Sequence, residues 1–371
     1  MDKSIQIVYL LKNVATGILA SVLTLTLLQH GADIHTVSLF IGLFSFVVIL
    51  FEFPSGVFAD VFGRKTSFLL SCVLYILSYS LILASSSAVS LACAIVFNGL
   101  GRAFSSGSID ALTIDQLTDH DQSLEWVTSR LAILESVGLS IGALSGGFLA
   151  GIGTRYQGNL IANIAIYVLL IVMTAGFIRE KRPYSAPVGL SATLRQFRVQ
   201  TKDSLSFLRT GGIVSILFVF ALITGLALSS LETYWQPSLQ AMQSADWVFG
   251  VVSFSGFAVV IFGSLLAERI LTKFGAQGVR LLLACKALLG VALIALMFQA
   301  EPVSFIAVYL LAYLFIGCGS VAESTLLNRL APSSHRAGIL SLSSFVLQLG
   351  GLIAALCGYF ISSYSRFQNI W

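Results

Sequence analysis

Charged residues are scarce in this sequence. Asp, Glu, Lys and Arg make up 10% of the 371 residues and hydrophobic residues 57%, whereas an average soluble chain carries about 25% charged residues. The five cysteines all lie in apolar runs without disulfide or metal-ligand spacing, and the four histidines are dispersed. The composition excludes a soluble globular protein and predicts no metal site.

Two further classes of protein are not indicated by the sequence. There is no basic stripe with interleaved aromatic residues, so nucleic acid is not an expected partner. No Ser/His/Asp, His-Glu-x-x-His or paired-cysteine motif is present, so an enzyme is not predicted. The formal net charge of +4 reflects basic residues that set membrane topology.

The hydrophobic residues fall into eleven runs, each long enough to cross the roughly 30 Å hydrocarbon core of a bilayer as a helix. The first run lacks a small-residue cleavage site, so it is predicted to be a span rather than a signal peptide. The predicted spans are 5–29, 36–58, 66–84, 88–113, 131–152, 158–178, 212–239, 247–270, 279–298, 303–327 and 338–361.

The basic residues determine the predicted orientation. With the N-terminus inside, sixteen of the 21 Lys and Arg fall on cytoplasmic segments, whereas only Arg155 and Arg366 fall outside. Short loops rich in Lys and Arg stay on the cytoplasmic side. We therefore expect a multi-pass protein of a bacterial inner membrane with a cytoplasmic N-terminus, whose partners are the lipid bilayer and a small molecule.

A short charged loop joins the second and third spans. Its glycines permit a sharp turn, and its acid needs a partner or a helix N-terminus to face. The pattern G-x-x-x-D-x-x-G-R-K resembles the signature loop of the major facilitator superfamily of secondary transporters, although Val61 stands where that pattern carries a basic residue. The motif residues are Gly56, Asp60, Gly63, Arg64 and Lys65.

The resemblance implies an all-α membrane protein of two pseudo-symmetric helical bundles. Asp115 at the end of the fourth span corresponds to Asn328 at the end of the tenth, as expected for a repeated unit. A cytoplasmic linker, 179–211, separates an N-terminal six-helix bundle, 1–178, from a C-terminal bundle, 212–371, in which five spans are predicted. No twelfth span is predicted, so the chain is expected to be either shortened or an eleven-helix variant.

In this family the first helix of each three-helix unit lines a central cavity. Ionisable groups at membrane depth normally face a cavity or a partner. Asp115 is expected to join the loop charges around Asp60, and the Asp60 loop to pack near the start of the eleventh span. The resemblance places on the substrate and proton path Arg102, Asp110, Glu232 and Glu323.

Arg102 resembles the helix-4 arginine of proton-coupled members of the family. A fixed cation could make a nearby acid release its proton; alternatively, Arg102 forms a structural ion pair with Asp110. Glu52 precedes Pro54, which is expected to kink the second span. The Glu52 carboxylate is expected to be buried, where it either titrates during transport or accepts a hydrogen bond from the freed backbone.

Glu232 lies beside aromatic residues in the outer half of the seventh span, one turn before Trp235. An acid with aromatic neighbours suits a cationic, amphipathic ligand; the alternative is an interfacial polar cluster. Trp235 is also expected at the membrane interface, because it flanks an outer loop. Lys12 and Lys286 are expected to snorkel toward the cytoplasm.

The fifth span is rich in glycine. The string resembles the glycine-rich motif of antiporter members, with Ala143 where that motif has proline. Small residues at this spacing let helices pack closely and slide, and generic close packing produces the same string. The glycines expected to pack are Gly138, Gly142, Gly146 and Gly147.

Taken with the resemblance, these features predict a secondary transporter that works by alternating access. It is expected to export an amphipathic or cationic compound in exchange for protons, to depend on a proton gradient but no cofactor, and to act as a monomer. Two alternatives stay open. One is import of a metabolite or chelate anion at Arg102, and the other is a membrane binding or sensor protein that transports nothing.

Overall fold

The computed structural model describes residues 3–85, 87–106, 108–110, 112–113, 124–180, 213–274, 278–330 and 336–364. Within these ranges the chain forms helices and no strand. The helices are α1 Lys3–Ala20, α2 Leu23–Gln29, α3 Ile34–Phe62, α4 Arg64–Ala84, α5 Ala88–Ser106, α6 Leu124–Leu149, α7 Gln157–Phe177, α8 Ile213–Ala241, α9 Asp246–Phe274, α10 Gly278–Leu296, α11 Pro302–Leu330 and α12 Arg336–Tyr364.

The hydropathy of these helices agrees with the predicted spans. Ten helices in the described ranges are long and apolar enough to cross a membrane, and the bent pair α1–α2 would be an eleventh. Apart from its first and last turns, a helix hydrogen-bonds all its backbone polar groups internally, which is why an apolar run that enters lipid takes this form.

The first predicted span is not one straight helix. α1 and α2 meet at 53° around Ser21 and Val22. The Val22 N–H donates to the Leu19 carbonyl at 3.0 Å, so the Ile18 carbonyl loses its helical donor. The Ser21 hydroxyl (3.0 Å) and the Asn159 amide (3.3 Å) donate to the Ile18 carbonyl instead. Side chains therefore satisfy the carbonyl that the bend releases.

The chain divides into two compact units. The first comprises residues 1–188 and 245–254, and the second residues 189–244 and 255–371. The first turns of α9 therefore belong to the first unit and the rest of α9 to the second. The predicted linker, 179–211, lies outside the described residues from position 181 onward, so the predicted domain boundaries stay predictions.

The same helix pairs recur inside each unit. In the first unit α1 packs on α6, α4 on α5, and α7 against both α1 and α4. In the second unit α8 packs on α12 in the way that α1 packs on α6, and α10 packs on α11 in the way that α4 packs on α5. This recurrence is what duplication of a helical unit produces.

Three of the four predicted packing glycines of α6 lie against the backbone of α1. A Cβ at any of the three would collide with a main-chain carbonyl, such as that of Val14 opposite Gly142. Gly147 faces a different helix, because a Cβ there would lie 2.6 Å from the Cα of Gly250 in the first turns of α9. The three glycines on α1 are Gly138, Gly142 and Gly146.

Candidate functional site

A polar cluster lies in the first unit, where α1 meets the residues that follow α5. Lys12 is 8% exposed, and its ammonium lies 3.4 Å from the Asn13 amide oxygen and 5.7 Å from the centre of the Tyr9 ring. The Tyr9 hydroxyl interacts with the Asp110 carboxylate. The Asp110 Oδ1 atom is buried and has no hydrogen-bond partner among the described residues.

The prediction that Lys12 snorkels toward the cytoplasm is wrong. Its ammonium is buried and interacts electrostatically with Asp110, Glu135 and Arg102. Acids on neighbouring helices take the place of water as partners of a buried cation. Arg102 and Glu135 are exposed. The structure thus brings Arg102 and Asp110 into one cluster, and it adds Tyr9, an interaction partner of Asp110 that sequence reasoning missed.

A second cluster surrounds Glu232 on α8. The Tyr313 hydroxyl of α11 donates to the Glu232 carboxylate. The Tyr313 ring lies 4.7 Å from the Tyr309 ring, and the Tyr309 ring lies 5.2 Å from that of Trp235. Glu232 itself is exposed. The site is therefore an accessible carboxylate held at the edge of three packed aromatic rings.

Glu232 does not lie on the apolar outer stripe of α8. That stripe is exposed at Val219 (53%) and Ile223 (43%). At about 100° per residue, Glu232 lies about 180° around the helix from Ile223. The hydroxyl of another α8 residue, Ser229, donates a hydrogen bond to the Gly351 carbonyl of α12 at 3.2 Å. Glu232 is consequently placed between the faces of α8 that meet α11 and α12.

Trp235 is not an interfacial residue. It is 2% exposed and packs on Tyr309, whereas Trp247, on the other side of the same loop, is 55% exposed. The prediction for Trp235 at the interface is wrong because its side chain points toward α11 rather than outward. The prediction that Trp235 lies beside Glu232 agrees with the structure, in which both residues belong to the second cluster.

A third cluster joins three helices of the second unit. The Lys286 ammonium of α10 lies 2.8 Å from Glu323 Oε2 of α11 and also donates to the Thr224 hydroxyl of α8. The Lys286 and Glu323 side chains are 9% and 10% exposed. Lys286 therefore does not snorkel toward the cytoplasm as predicted, because a carboxylate is available at the same depth.

An apolar cavity of about 380 Å³ lies between α8, α10 and α11. Its wall includes Ile223 and Ser230 on α8, Leu293 on α10 and Phe305 on α11. No Asp, Glu, Lys or Arg of the described ranges lines it. Trp235, whose ring packs on Tyr309 in the Glu232 cluster, also lines this cavity.

The predicted signature loop is tied down by an acid that sequence reasoning missed. The Glu180 carboxylate accepts the backbone N–H groups of Arg64 (2.7 Å) and Lys65 (3.0 Å) at the N-terminus of α4. The Lys65 ammonium donates to the carbonyls of Ala175 (3.1 Å) and Ile178 (2.7 Å) at the end of α7. The Glu180 carboxylate thus faces the positive N-terminal end of the α4 dipole, and the Lys65 ammonium faces the negative C-terminal end of the α7 dipole.

Gly63 is required at this junction for two reasons. Its φ of +96° is favourable only for glycine, and a Cβ there would lie 2.7 Å from Glu180 Oε2. Gly56, by contrast, has open space around it. The Asp60 side chain, all of Asp115 and the side chains at the start of α12 lie outside the described residues, so the predicted contacts of the Asp60 loop stay predictions.

Glu52 is exposed rather than buried. Pro54 lies inside α3, which continues to Phe62. The Ser55 hydroxyl donates to the Glu52 carbonyl at 2.9 Å and to the Ala103 carbonyl of α5 at 2.8 Å. The hydroxyl next to the proline, rather than the Glu52 carboxylate, therefore ties this part of α3 to its neighbour.

No group of three or more His, Cys, Asp or Glu able to hold a metal ion occurs in the described part of the chain. The three clusters differ in the kind of ligand that they can bind. The first offers two cations and two acids, and the second offers an acid with aromatic faces. In the third, the charges of Lys286 and Glu323 compensate each other.

Comparison with known proteins identifies relatives of the chain. The profile described as Major Facilitator Superfamily matches residues 6–355. The uncharacterized MFS-type transporter YxaM of Bacillus subtilis (strain 168) is 23% identical over 252 residues, which is 68% of this chain and 62% of that protein. The match therefore spans less than two thirds of the length of that relative.

Solved structures share the fold. The nucleoside transporter NupG superposes with a TM-score of 0.79 at 13% identity, over 99% of this chain and 92% of that one. A D-xylose-proton symporter gives 0.73 at 14% identity, over 98% and 91%. A bacterial homolog of the human lysosomal transporter Spinster gives 0.75 at 18% identity, over 97% and 81%. These matches confirm the predicted fold class.

Proposed function

Because the chain belongs to the Major Facilitator Superfamily, we propose that it is a secondary transporter that moves a small molecule across the membrane by alternating access. The membership confirms the resemblance drawn from the loop between Gly56 and Lys65, and it confirms that the chain is not an enzyme. The matched family and the many apolar helices make the chain a multi-pass integral membrane protein.

The substrate we propose is a cationic, amphipathic small molecule. The observation that carries this proposal is the exposed Glu232 carboxylate, which accepts from Tyr313 beside the rings of Tyr309 and Trp235. A carboxylate attracts a cation at long range, and aromatic faces bind a desolvated cation with about 0.5–2 kcal/mol each. An apolar part of the same ligand would bury its surface against these rings.

The driving force we propose is the proton gradient, used for export. Glu232 and Glu323 are acids on helices that cross the membrane, Asp110 follows such a helix, and each interacts with a neighbouring donor. An acid that changes partner between two conformations changes its affinity for protons, and that difference couples proton movement to transport. The chain is further proposed to be a monomer in a bacterial inner membrane, with its N-terminus in the cytoplasm.

Substitution Glu232→Gln tests the substrate proposal. We expect uptake of ethidium, a fluorescent aromatic cation, into proteoliposomes under an imposed pH gradient to fall about tenfold or more, equivalent to about 1.4 kcal/mol per factor of ten. The protein should keep its elution volume and melting temperature, because Gln retains the hydrogen bond from Tyr313. The matched control is Glu301→Gln, at an exposed acid just before α11.

Ethidium uptake that is equal in Glu232→Gln, Glu301→Gln and the parent protein would remove Glu232 from the substrate site. Tight binding of ethidium without movement in either direction of the gradient would overturn transport itself. That second outcome is the one expected of a binding or sensor protein.

Lys12 supports one other candidate substrate, a metabolite or chelate anion bound near Arg102. Lys12 is buried and interacts electrostatically with Arg102, so two cations act in one cluster. Counterflow of a labelled dicarboxylate such as succinate, compared with that of ethidium, separates the two candidates. Lys12→Gln should abolish anion counterflow and leave ethidium counterflow unchanged if the anion is the substrate.

A further inference from the structure

The apolar cavity between α8, α10 and α11 has a buried inner wall and one open side. The inner wall includes the side chains of Trp235, Leu296 and Phe305, which are all buried. On the open side, Ile223 and Ser230 are exposed. Ile223 belongs to the apolar outer stripe of α8, and each of the three helices is long and apolar enough to cross a membrane. The open side therefore faces lipid rather than water.

The cavity extends along the helices over the depth of one leaflet of a bilayer. Its wall on α8 runs from Ile223 to Trp235, a distance of roughly 18 Å at about 1.5 Å per residue. Half of the hydrocarbon core of a bilayer is about 15 Å thick. On the other two helices the wall includes Leu296, the last residue of α10, and Phe305, in the first turn of α11. The cavity therefore runs from one end of these helices to the middle of the membrane.

The polar side chains in the wall of the cavity are already engaged. The Ser230 hydroxyl donates to the Leu226 carbonyl at 2.9 Å, within the same helix. Tyr234 and Trp235 each have an interaction partner in the protein. An apolar cavity of this kind stays free of water and takes apolar ligands. Its volume of about 380 Å³ lies in the range of about 300–1,000 Å³ that is usual for ligand sites.

We propose that this cavity is a binding site for one acyl chain of a membrane phospholipid. The chain enters from the open side at Ile223 and Ser230 and lies along α8, in the leaflet at the end of α8 that carries the α8–α9 loop. Lipid tails are as apolar as the wall, so the chain is held by van der Waals packing in an enclosed space rather than by the hydrophobic effect. The Trp235 ring is one of its packing partners.

Trp235 connects the acyl-chain site to the Glu232 cluster. Its side chain lines the cavity, its ring centre lies 5.2 Å from that of Tyr309, and it interacts with the Glu232 carboxylate. A chain in the cavity fills the space beside this ring and so keeps the ring against Tyr309. Ile223 and Ser230 lie about 160–180° around α8 from Glu232. The chain therefore enters from the lipid and not past the carboxylate.

Quenching of tryptophan fluorescence by a brominated phospholipid tests the site directly, because bromine quenches an indole only at close range. The test protein keeps Trp235 as its single tryptophan, and the residues changed to Phe are Trp126, Trp247 and Trp371. The probe is a phosphatidylcholine brominated in the middle of its acyl chains, compared with the unbrominated lipid. We expect Trp235 to lose most of its fluorescence in the brominated bilayer although its side chain is buried. Fluorescence that is equal in the two bilayers would overturn the proposal.

Two substitutions that fill the cavity should restore most of the Trp235 fluorescence. They are Ala227→Phe, at the buried wall, and Ser230→Phe, at the open side. Because Ser230 is exposed, its larger replacement needs no repacking, so the test holds even if Ala227→Phe does not fold. The matched control is Ala284→Phe, at an exposed position of α10 about 13 Å along that helix from Leu293, which should be quenched as before. Equal quenching in all three variants would overturn the proposal.

The same measurement distinguishes the acyl chain from two other occupants. Relief of the quenching by dodecyltrimethylammonium that is lost in Glu232→Gln would assign the cavity to the apolar part of a transported cation and overturn the lipid site. Relief that is equal with and without the Glu232 carboxylate supports the proposal. Absence of quenching in a protein that elutes as a dimer would assign the cavity to a helix of a second copy. None of these readouts requires transport, so a failure of ethidium uptake would count against the proposed substrate alone.

Discussion

Asp33 shows how much one side chain contributes at the start of a membrane helix. It precedes α3, and its carboxylate accepts from the Thr36 backbone N–H at 2.8 Å and from the Thr36 hydroxyl. The hydrogen bond from the Thr36 hydroxyl is the main reason that the pKa of Asp33 lies below its ordinary value. A lowered folded pKa means that the ionised cap stabilises the fold above the unfolded pKa and is lost as pH falls through the folded pKa.

Asp33→Ala should therefore lower the free energy of unfolding by about 1 kcal/mol at neutral pH, the usual contribution of a cap residue. The difference from the parent should shrink in acid, where the parent has lost the ionised cap as well. Melting temperatures in detergent over a pH series measure both effects. Asp33→Asn is the matched control, because Asn caps without titrating. A difference between parent and Asp33→Ala that grows toward acid pH would contradict a lowered pKa for Asp33.

The two buried lysines mark the limit of residue-level prediction. Lys12 and Lys286 lie in apolar runs near acids of other spans, and a long side chain in lipid can either reach the interface or find an acid. The sequence indicates the pairing with an acid only through the presence of an acid in another span, such as Glu323. Which outcome occurs depends on helix rotation, since Lys286 meets Glu323 only when α10 and α11 turn these faces together.

At the level of helices, the glycines of α6 determine how closely α6 approaches α1. A Cβ at Gly142 would collide with the Val14 carbonyl. Gly176, in α7, has nothing within 4 Å of its Cβ position. Gly142 lies at a backbone contact and Gly176 in open space, so the two glycines form a matched pair for experiment.

Gly142→Ala should destabilise the protein by about 1–3 kcal/mol, the usual range for overpacking a close contact. Gly176→Ala should be neutral or slightly stabilising, because alanine is the better helix former by about 1 kcal/mol. Thermal unfolding and the fraction of monodisperse protein after extraction measure the difference. Equal melting temperatures for the two variants would show that α6 and α1 are not in backbone contact.

The break between α1 and α2 also depends on contact with another helix rather than on the local sequence. The run from Ile5 to Gln29 is mainly apolar, and no proline in it marks a bend. The bend depends on Asn159 of α7, whose amide donates to the Ile18 carbonyl at 3.3 Å and to the Gly146 carbonyl at 2.8 Å. A donor 141 positions away is outside the reach of any local pattern.

For the whole molecule, the asymmetry of Lys and Arg yields a testable orientation. With a cytoplasmic N-terminus, Ser87 between α4 and α5 lies outside and Thr66 at the start of α4 lies inside. Both residues are exposed. In a variant without native cysteines, a membrane-impermeant maleimide should label Ser87→Cys on intact cells, and Thr66→Cys only after permeabilisation. The reverse pattern would invert the topology and with it the proposed direction of export.

The sequence by itself determined the class of this protein and the number of its spans. Lipid offers no hydrogen bonds to the backbone, so apolar runs of this length have only one stable form, and the loop from Gly56 to Lys65 was specific enough to indicate the family. Only the tertiary structure decided the partners of the embedded charges. Hydropathy sets the depth of a side chain but not the rotation of its helix, and rotation brought Lys286 to Glu323 and Tyr313 to Glu232.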